Sequence, residues 1–221
     1  MKFVQAQEIP TQLGQEFGGG YFCGYYSLNA DGVATHALIM APQSARSVQQ
    51  LKITNNATAN TSSSYDGLAN TNAMIAAGAS DHPAADYCTS YTGGGFTDWY
   101  VPSQNEWHAC LRAFRSESGE AENNWNNAYA CPQLLANNYK IGKTKQPFFT
   151  ISVNDYENVN YWTSTETPGV RGGPATSNYR FAQLYANPLA SASKSSSYYV
   201  LPFRRVAIPT PFLVPPHEDP V

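Results

Sequence analysis

The chain has 221 residues, 42% hydrophobic and 13% aromatic, which suits one large domain, or one domain with an appended arm, around a sizeable core. Only 13% of side chains are charged, about half the usual ~25%, so solvation falls to Ser, Thr, Asn, Gln and Tyr. The net charge of −3 argues against a general nucleic-acid binder, the 15 Tyr and 4 Trp argue against disorder, and no apolar run approaches the ~20 residues of a membrane span.

The opening segment, residues 1–17, carries one Lys and no apolar stretch, so no signal peptide is expected. Cys23, Cys88, Cys110 and Cys131 show no C-x-x-C spacing, which argues against a zinc ribbon or a thioredoxin motif. Four cysteines allow three disulfide pairings, and spacing does not choose among them. Without an export signal the thiols are expected reduced, as small buried hydrophobes. No repeat of 20–50 residues is visible, which disfavours solenoids and propellers.

Glycine triplets at 18–20 and 93–95, the pair at 172–173 and the Ser/Asn-rich stretch 55–64 divide the chain into short pieces. Residues 21–27 are aromatic and glycine-flanked, and read as a strand. Residues 37–41 are a continuous apolar run ending at Pro42, the pattern of a buried strand. Residues 51–54 alternate and predict a further strand. A helix is expected from Pro83, which suits the first helical position, with Asp81 or His82 as cap and the glycines from 93 as stop. The Ala-rich segment 70–79 adds a turn or two ahead of it. Ser103 and Glu106 have the spacing of a capping box, and Trp107, Leu111 and Phe114 then form one apolar stripe. Residues 116–155 are polar and give no assignable regular structure. Strands are expected at 159–164, 178–184 and 197–206. Residues 207–221 hold five prolines and predict an extended arm that cannot be helical. Helices in the middle and strands at both ends make an α+β pattern, with a domain over 18–206 between a short N-terminal segment and the arm.

Four motifs occur in order: Ala84-Ala85-Asp86-Tyr87-Cys88, then Gly94-Gly95-Phe96-Thr97-Asp98-Trp99-Tyr100-Val101-Pro102-Ser103 with Glu106, then Tyr161-Trp162-Thr163-Ser164-Thr165-Glu166, and last the run from Lys194 to Val206 with Arg204-Arg205. Together they resemble the bacterial and phage domain type first noted at the C terminus of a Legionella collagen-like adhesin. The resemblance spans 18–206, and the opening Gly18-Gly19-Gly20-Tyr21-Phe22, followed by Ala37-Leu38-Ile39-Met40-Ala41-Pro42, looks most like phage-encoded versions. It implies a C-type-lectin-like fold, related to those of phage receptor-binding proteins. Val101 and Trp107 stand where the family usually has Leu, and Leu201 where it often has Arg. Trp99, Ser103, Glu106, Trp107, Arg204 and Arg205 are expected to be structural, with one arginine facing a carboxylate such as Glu166 or Asp98.

Other chemistry has little footing in the sequence. Trp125-Asn126-Asn127 lacks the acidic residue of a lectin calcium site, and Asp81, Asp86 and Asp98 are dispersed, so no metal is expected. Four scattered His do not point to a Cys–His nucleophile. The acidic run Glu117, Glu120 and Glu122 reads as solvated rather than as a glycosidase pair. No phosphate loop or dinucleotide fingerprint occurs, and no cofactor is expected. What remains is a Tyr-, Ser- and Asn-rich surface suited to adaptable recognition. Trp162, Ser164, Tyr179, Tyr185 and Tyr198 are the expected ligand contacts, with Tyr199 beside them. Phe212, Leu213 and Val214 are the expected anchors of an arm attached to a particle. The expectation is a non-catalytic phage virion protein at the tail, neck or capsid surface. Its partners would be other virion proteins or copies of itself, without nucleic acid or membrane insertion. A host-receptor or glycan-binding adhesin is the alternative, and an enzyme on the same fold the third reading.

Overall fold

The computed structural model describes residues 9–10, 14–28, 33–107, 110, 161–167, 177–181 and 190–213. Cys131, Leu111, Phe114, Tyr185, Val214, the Trp125 motif and the acidic run at 117–122 lie outside these. The described elements are β1 (Glu16–Phe17), β2 (Gly20–Tyr26), β3 (Val33–Met40), β4 (Ser47–Gln50), α1 (Gly67–Gly78), α2 (Pro83–Ser90), β5 (Tyr161–Thr167), β6 (Ser177–Phe181), β7 (Ala190–Ser193), β8 (Ser197–Val200) and β9 (Phe203–Leu213). The fold is mixed α+β, with short helices and two sheets.

The first sheet has the order β1-β2-β3-β9 and is antiparallel throughout. Its first hairpin turns at Gly18 and Gly19, whose φ values are +58° and +84°. Two successive positive φ angles are what a tight two-residue hairpin turn requires, and glycine adopts them without strain. The glycine triplet is thus a specific hairpin rather than loose punctuation.

β9 runs across the boundary expected at 206/207 and on to Leu213. Residues 207–213 are therefore strand, not free arm. Phe212 pairs with Ala34 and Leu213 with Val33. Prolines do not prevent this, because β9 is an edge strand. Pro209 and Pro211 fall in a register shift, where His36 faces Ala207 while Ala34 faces Phe212.

The second sheet has the order β4-β8-β5-β6-β7, antiparallel except for β5 beside β8, where Tyr161 pairs with Tyr199. The strand expected at 51–54 lies instead at 47–50. Leu51 N and Lys52 N both donate to Lys194 O, at 3.0 and 3.2 Å, which draws the chain out of the sheet. Both side chains are buried, so their alternation in sequence does not mark two faces. The single strand expected over 197–206 divides into β8 and β9. Leu201 and Pro202 carry the chain from one sheet to the other, and Pro202 O accepts a bond from Ala41 N at 2.9 Å. β7 reads Ala-Ser-Ala-Ser, without the β-branched or aromatic residues that mark strands in sequence.

α1 begins three residues before the Ala-rich segment, because Asp66 caps it by accepting from Ala69 N at 2.9 Å. Pro83 opens α2 at the first helical position. His82 precedes it, but its ring makes no cap bond and instead contacts Gly78 O at 2.8 Å. Residues 104–107 are helical. Two cores result. One joins β2, β3 and β9 to Trp99, Tyr100 and Trp107. The other packs α1 and α2 against the second sheet through Met74, Cys88, Val101, Trp162 and Val200. Residues 99–101 feed both. Cys23, Cys88 and Cys110 are buried free thiols.

Candidate functional site

Among the described residues, two buried clusters of titratable side chains stand out. The first centres on Glu106. Ser103 N donates to its Oε2 at 2.7 Å, and Glu106 N approaches Ser103 Oγ at 3.4 Å, the reciprocal pattern of a capping box. The carboxylate does more than cap its own helix. Oε2 also accepts from Gly67 N, the first residue of α1, at 3.1 Å, and Oε1 accepts from Tyr100 Oη at 2.7 Å. One buried side chain therefore satisfies the starts of two helices and a buried phenol. Burial pushes its pKa above the ordinary carboxylate value, against the pull of those hydrogen bonds. Burial, then the Glu106 charge, holds the Tyr100 phenol well above its usual value.

The two arginines flank this cluster. Arg204 grips Asp98 with Nε to Oδ1 at 2.7 Å and Nη2 to Oδ2 at 2.9 Å. Its Nη1 donates to Gly18 O at 2.8 Å, and its guanidinium lies 3.8 Å from the Phe96 ring centre. Arg205 donates to Asp66, the cap of α1, at 2.9 Å. Glu166 takes neither arginine.

Glu166 centres the second cluster, where the loop after β4 meets the end of β5 and the β7–β8 turn. Lys194 Nζ contacts Glu166 Oε1 and donates to Asn56 O at 2.8 Å. Thr58 N donates to Oε2 at 3.0 Å, and Thr61 Oγ1 lies 2.5 Å from the same oxygen. Lys52 Nζ reaches Thr58 Oγ1 at 2.9 Å and Asp81 Oδ2 at 3.5 Å. His82 Nε2 lies 2.9 Å from Thr58 Oγ1. Burial lowers the pKa of both His82 and Lys194, and the neighbouring lysines lower His82 further. Sequence reasoning missed this group. Its members come from four segments and share no short motif, and the polar 55–64 stretch reads as ordinary loop.

Trp162 and Ser164, expected as ligand contacts, are both buried. Trp162 Nε1 donates to Gln49 O at 2.9 Å, and Ser164 Oγ to Pro102 O at 3.2 Å. Both hold β5 to its neighbours, and a ligand at the surface does not reach them. Tyr179 lies on β6 opposite Ser191. Tyr198 is half-buried, with its ring 5.0 Å from that of Trp162. Tyr199 faces the other way. Trp107, Tyr161 and Tyr199 form an aromatic series, with ring centres 4.7 and 5.7 Å apart, that leads from the core to the β4 edge. There Arg46 lies 4.6 Å from the Tyr199 ring centre, and Val48, paired with Tyr199, is 53% exposed. Val48, Tyr199 and Arg46 gather apolar, aromatic and cationic character at one edge.

Among the described residues no His, Cys, Asp and Glu group has the makings of a metal site, and no helix is long and apolar enough to cross a membrane. No protein-family model, curated protein or solved structure matches the chain.

Proposed function

We propose that this chain is a non-catalytic bacteriophage virion protein, at the tail, neck or capsid surface, built on a C-type-lectin-like domain. The supporting observation is how its irregular segments are held. The stretch between β4 and α1 is fixed by Glu166, Lys194 and Asn70, and the stretch from 91 to 103 by Glu106 and Arg204. These charges are spent inside, on loop backbone and on each other. A fold that fixes long loops this way presents a set surface without needing a metal ion. Among the described residues the titratable clusters are centred on buried groups, which supports recognition over catalysis.

The face at the β4 edge favours a second function for the same particle protein, host-surface recognition. An exposed Val beside an aromatic ring and an arginine offers apolar contact and stacking for a glycan or protein ligand. Val48→Asp and Tyr199→Ala, with far-ultraviolet circular dichroism as the folding control, should abolish binding of labelled protein to intact host cells. Retained binding by both variants would remove this face from the account. The virion reading itself is tested by the protein content of purified particles.

A further inference from the structure

We propose that Lys194 and Glu166 are joined in the mature protein by an intramolecular amide bond between Nζ and Cδ. The two side chains touch inside the molecule, with 2% and 5% of their surface exposed. A buried ion pair carries a desolvation cost that its own attraction does not readily offset. Transfer of one proton from Nζ to Oε1 across this contact gives the neutral amine that can attack Cδ. Burial lowers the Lys194 pKa in the direction that releases the amine.

The surroundings fit the reaction as well as its reactants. Lys194 Nζ is held by Asn56 O at 2.8 Å, which fixes the nitrogen beside the carboxyl. When that nitrogen attacks Cδ, negative charge collects on Oε2. There Thr58 N–H stands at 3.0 Å and Thr61 Oγ1 at 2.5 Å; Thr61 Oγ1 also lies 2.8 Å from Thr58 O, and turning its single proton to Oε2 puts two donors on the oxyanion. Oε1 then takes a second proton from the nitrogen and leaves as water. One N–C bond forms, one C–O bond breaks, and no oxidant, reductant or cofactor is consumed. Fixed contact between amine and carboxyl supplies the effective concentration.

The product is satisfied where it stands. The amide oxygen keeps Thr58 N–H and Thr61 O–H, and the amide N–H keeps Asn56 O. The bond ties the end of β5 to the β7–β8 turn and clamps the loop that carries Asn56, Thr58 and Thr61. It is independent of the virion reading.

The test is the intact mass of the denatured full-length protein, followed by digestion and fragment mapping. The expected mass is one water below the sequence mass, with a branched peptide linking the Lys194 and Glu166 segments. Lys194→Arg keeps the charge but cannot form the bond, and should restore the full mass. Thr61→Val should slow closure, so freshly made protein shows both masses. Wild-type protein at full sequence mass would overturn the proposal, as would a water loss that maps to any other residue. The wild-type reading decides the matter even where a variant fails to fold.

Discussion

Glu106 offers the sharpest test of how the two helices are held. Replacing it with Ala leaves Ser103 N, Gly67 N and the Tyr100 hydroxyl without their acceptor. Each buried donor left unsatisfied costs about 1–3 kcal/mol. Some relaxation and water entry reduce the sum, so Glu106→Ala is expected to cost about 4 kcal/mol, a large part of the ~5–15 kcal/mol typical of a domain. Glu106→Gln keeps an oxygen for the two backbone donors and turns its amide toward Tyr100 Oη, which can accept; its cost is about 1 kcal/mol. Urea unfolding followed by tryptophan fluorescence measures both. The Tyr100→Phe double-mutant cycle should show coupling with Glu106→Ala of at least about 1 kcal/mol. The pH dependence adds a signed check. Because burial raises the folded pKa of Glu106, its contribution is present below the unfolded value of about 4.3 and lost as pH rises through the folded value. Wild type should therefore lose stability relative to Glu106→Gln over that rise. A Glu106→Ala variant within about 1 kcal/mol of wild type, or a Gln variant as damaged as the Ala one, would refute the hub.

His82 titrates with the opposite sign. Its folded pKa lies below the usual value of about 6.5, so stability is intact above that pH and falls as pH drops toward the folded pKa, with His82→Gln flattening the slope in urea titrations from pH 7 to 5. Arg204→Lys should lower stability by about 2 kcal/mol, since lysine cannot reproduce the paired contacts to Asp98 or the stacking on Phe96; the figure stays modest because Asp98 is half exposed. Thermal unfolding of Arg204→Lys checks this, and an unchanged midpoint would contradict it. Gly67→Ala drives a methyl against Ser103 N, and against Val101 O at 2.7 Å. That overpacking should cost about 1–3 kcal/mol in the same urea assay, where Ala at a first helical turn is otherwise harmless.

Local rules made much of the framework legible. The capping box at Ser103 and Glu106, the proline opening α2 and the apolar run of β3 each depend on a few neighbouring residues. What lay outside such rules was set by distant partners. Lys52 sits where alternation suggested a strand, but its backbone and that of Leu51 bond to Lys194, far along the chain. The proline-rich end reads as an extended arm because its prolines exclude a helix, and an edge strand with a register shift takes up part of that extended chain. Trp162 and Ser164 share a strand rich in hydroxyls and aromatics, which looks like a recognition surface until β4 and residue 102 cover it. Glu106 was readable as a cap, but its reach to Gly67 and Tyr100 was not. The Glu166 cluster was not legible as a cluster: Glu166 stands in a recognisable motif, but its partners come from three other segments and share no spacing with it.

A chain that belongs to a particle, as proposed, travels with that particle through purification. Quantitative mass spectrometry of purified phage particles tests it most directly. The protein is expected in fixed stoichiometry with the structural subunits, retained through density-gradient purification and high-salt washing. Absence from particles, with the protein found only in the infected-cell lysate, would contradict it.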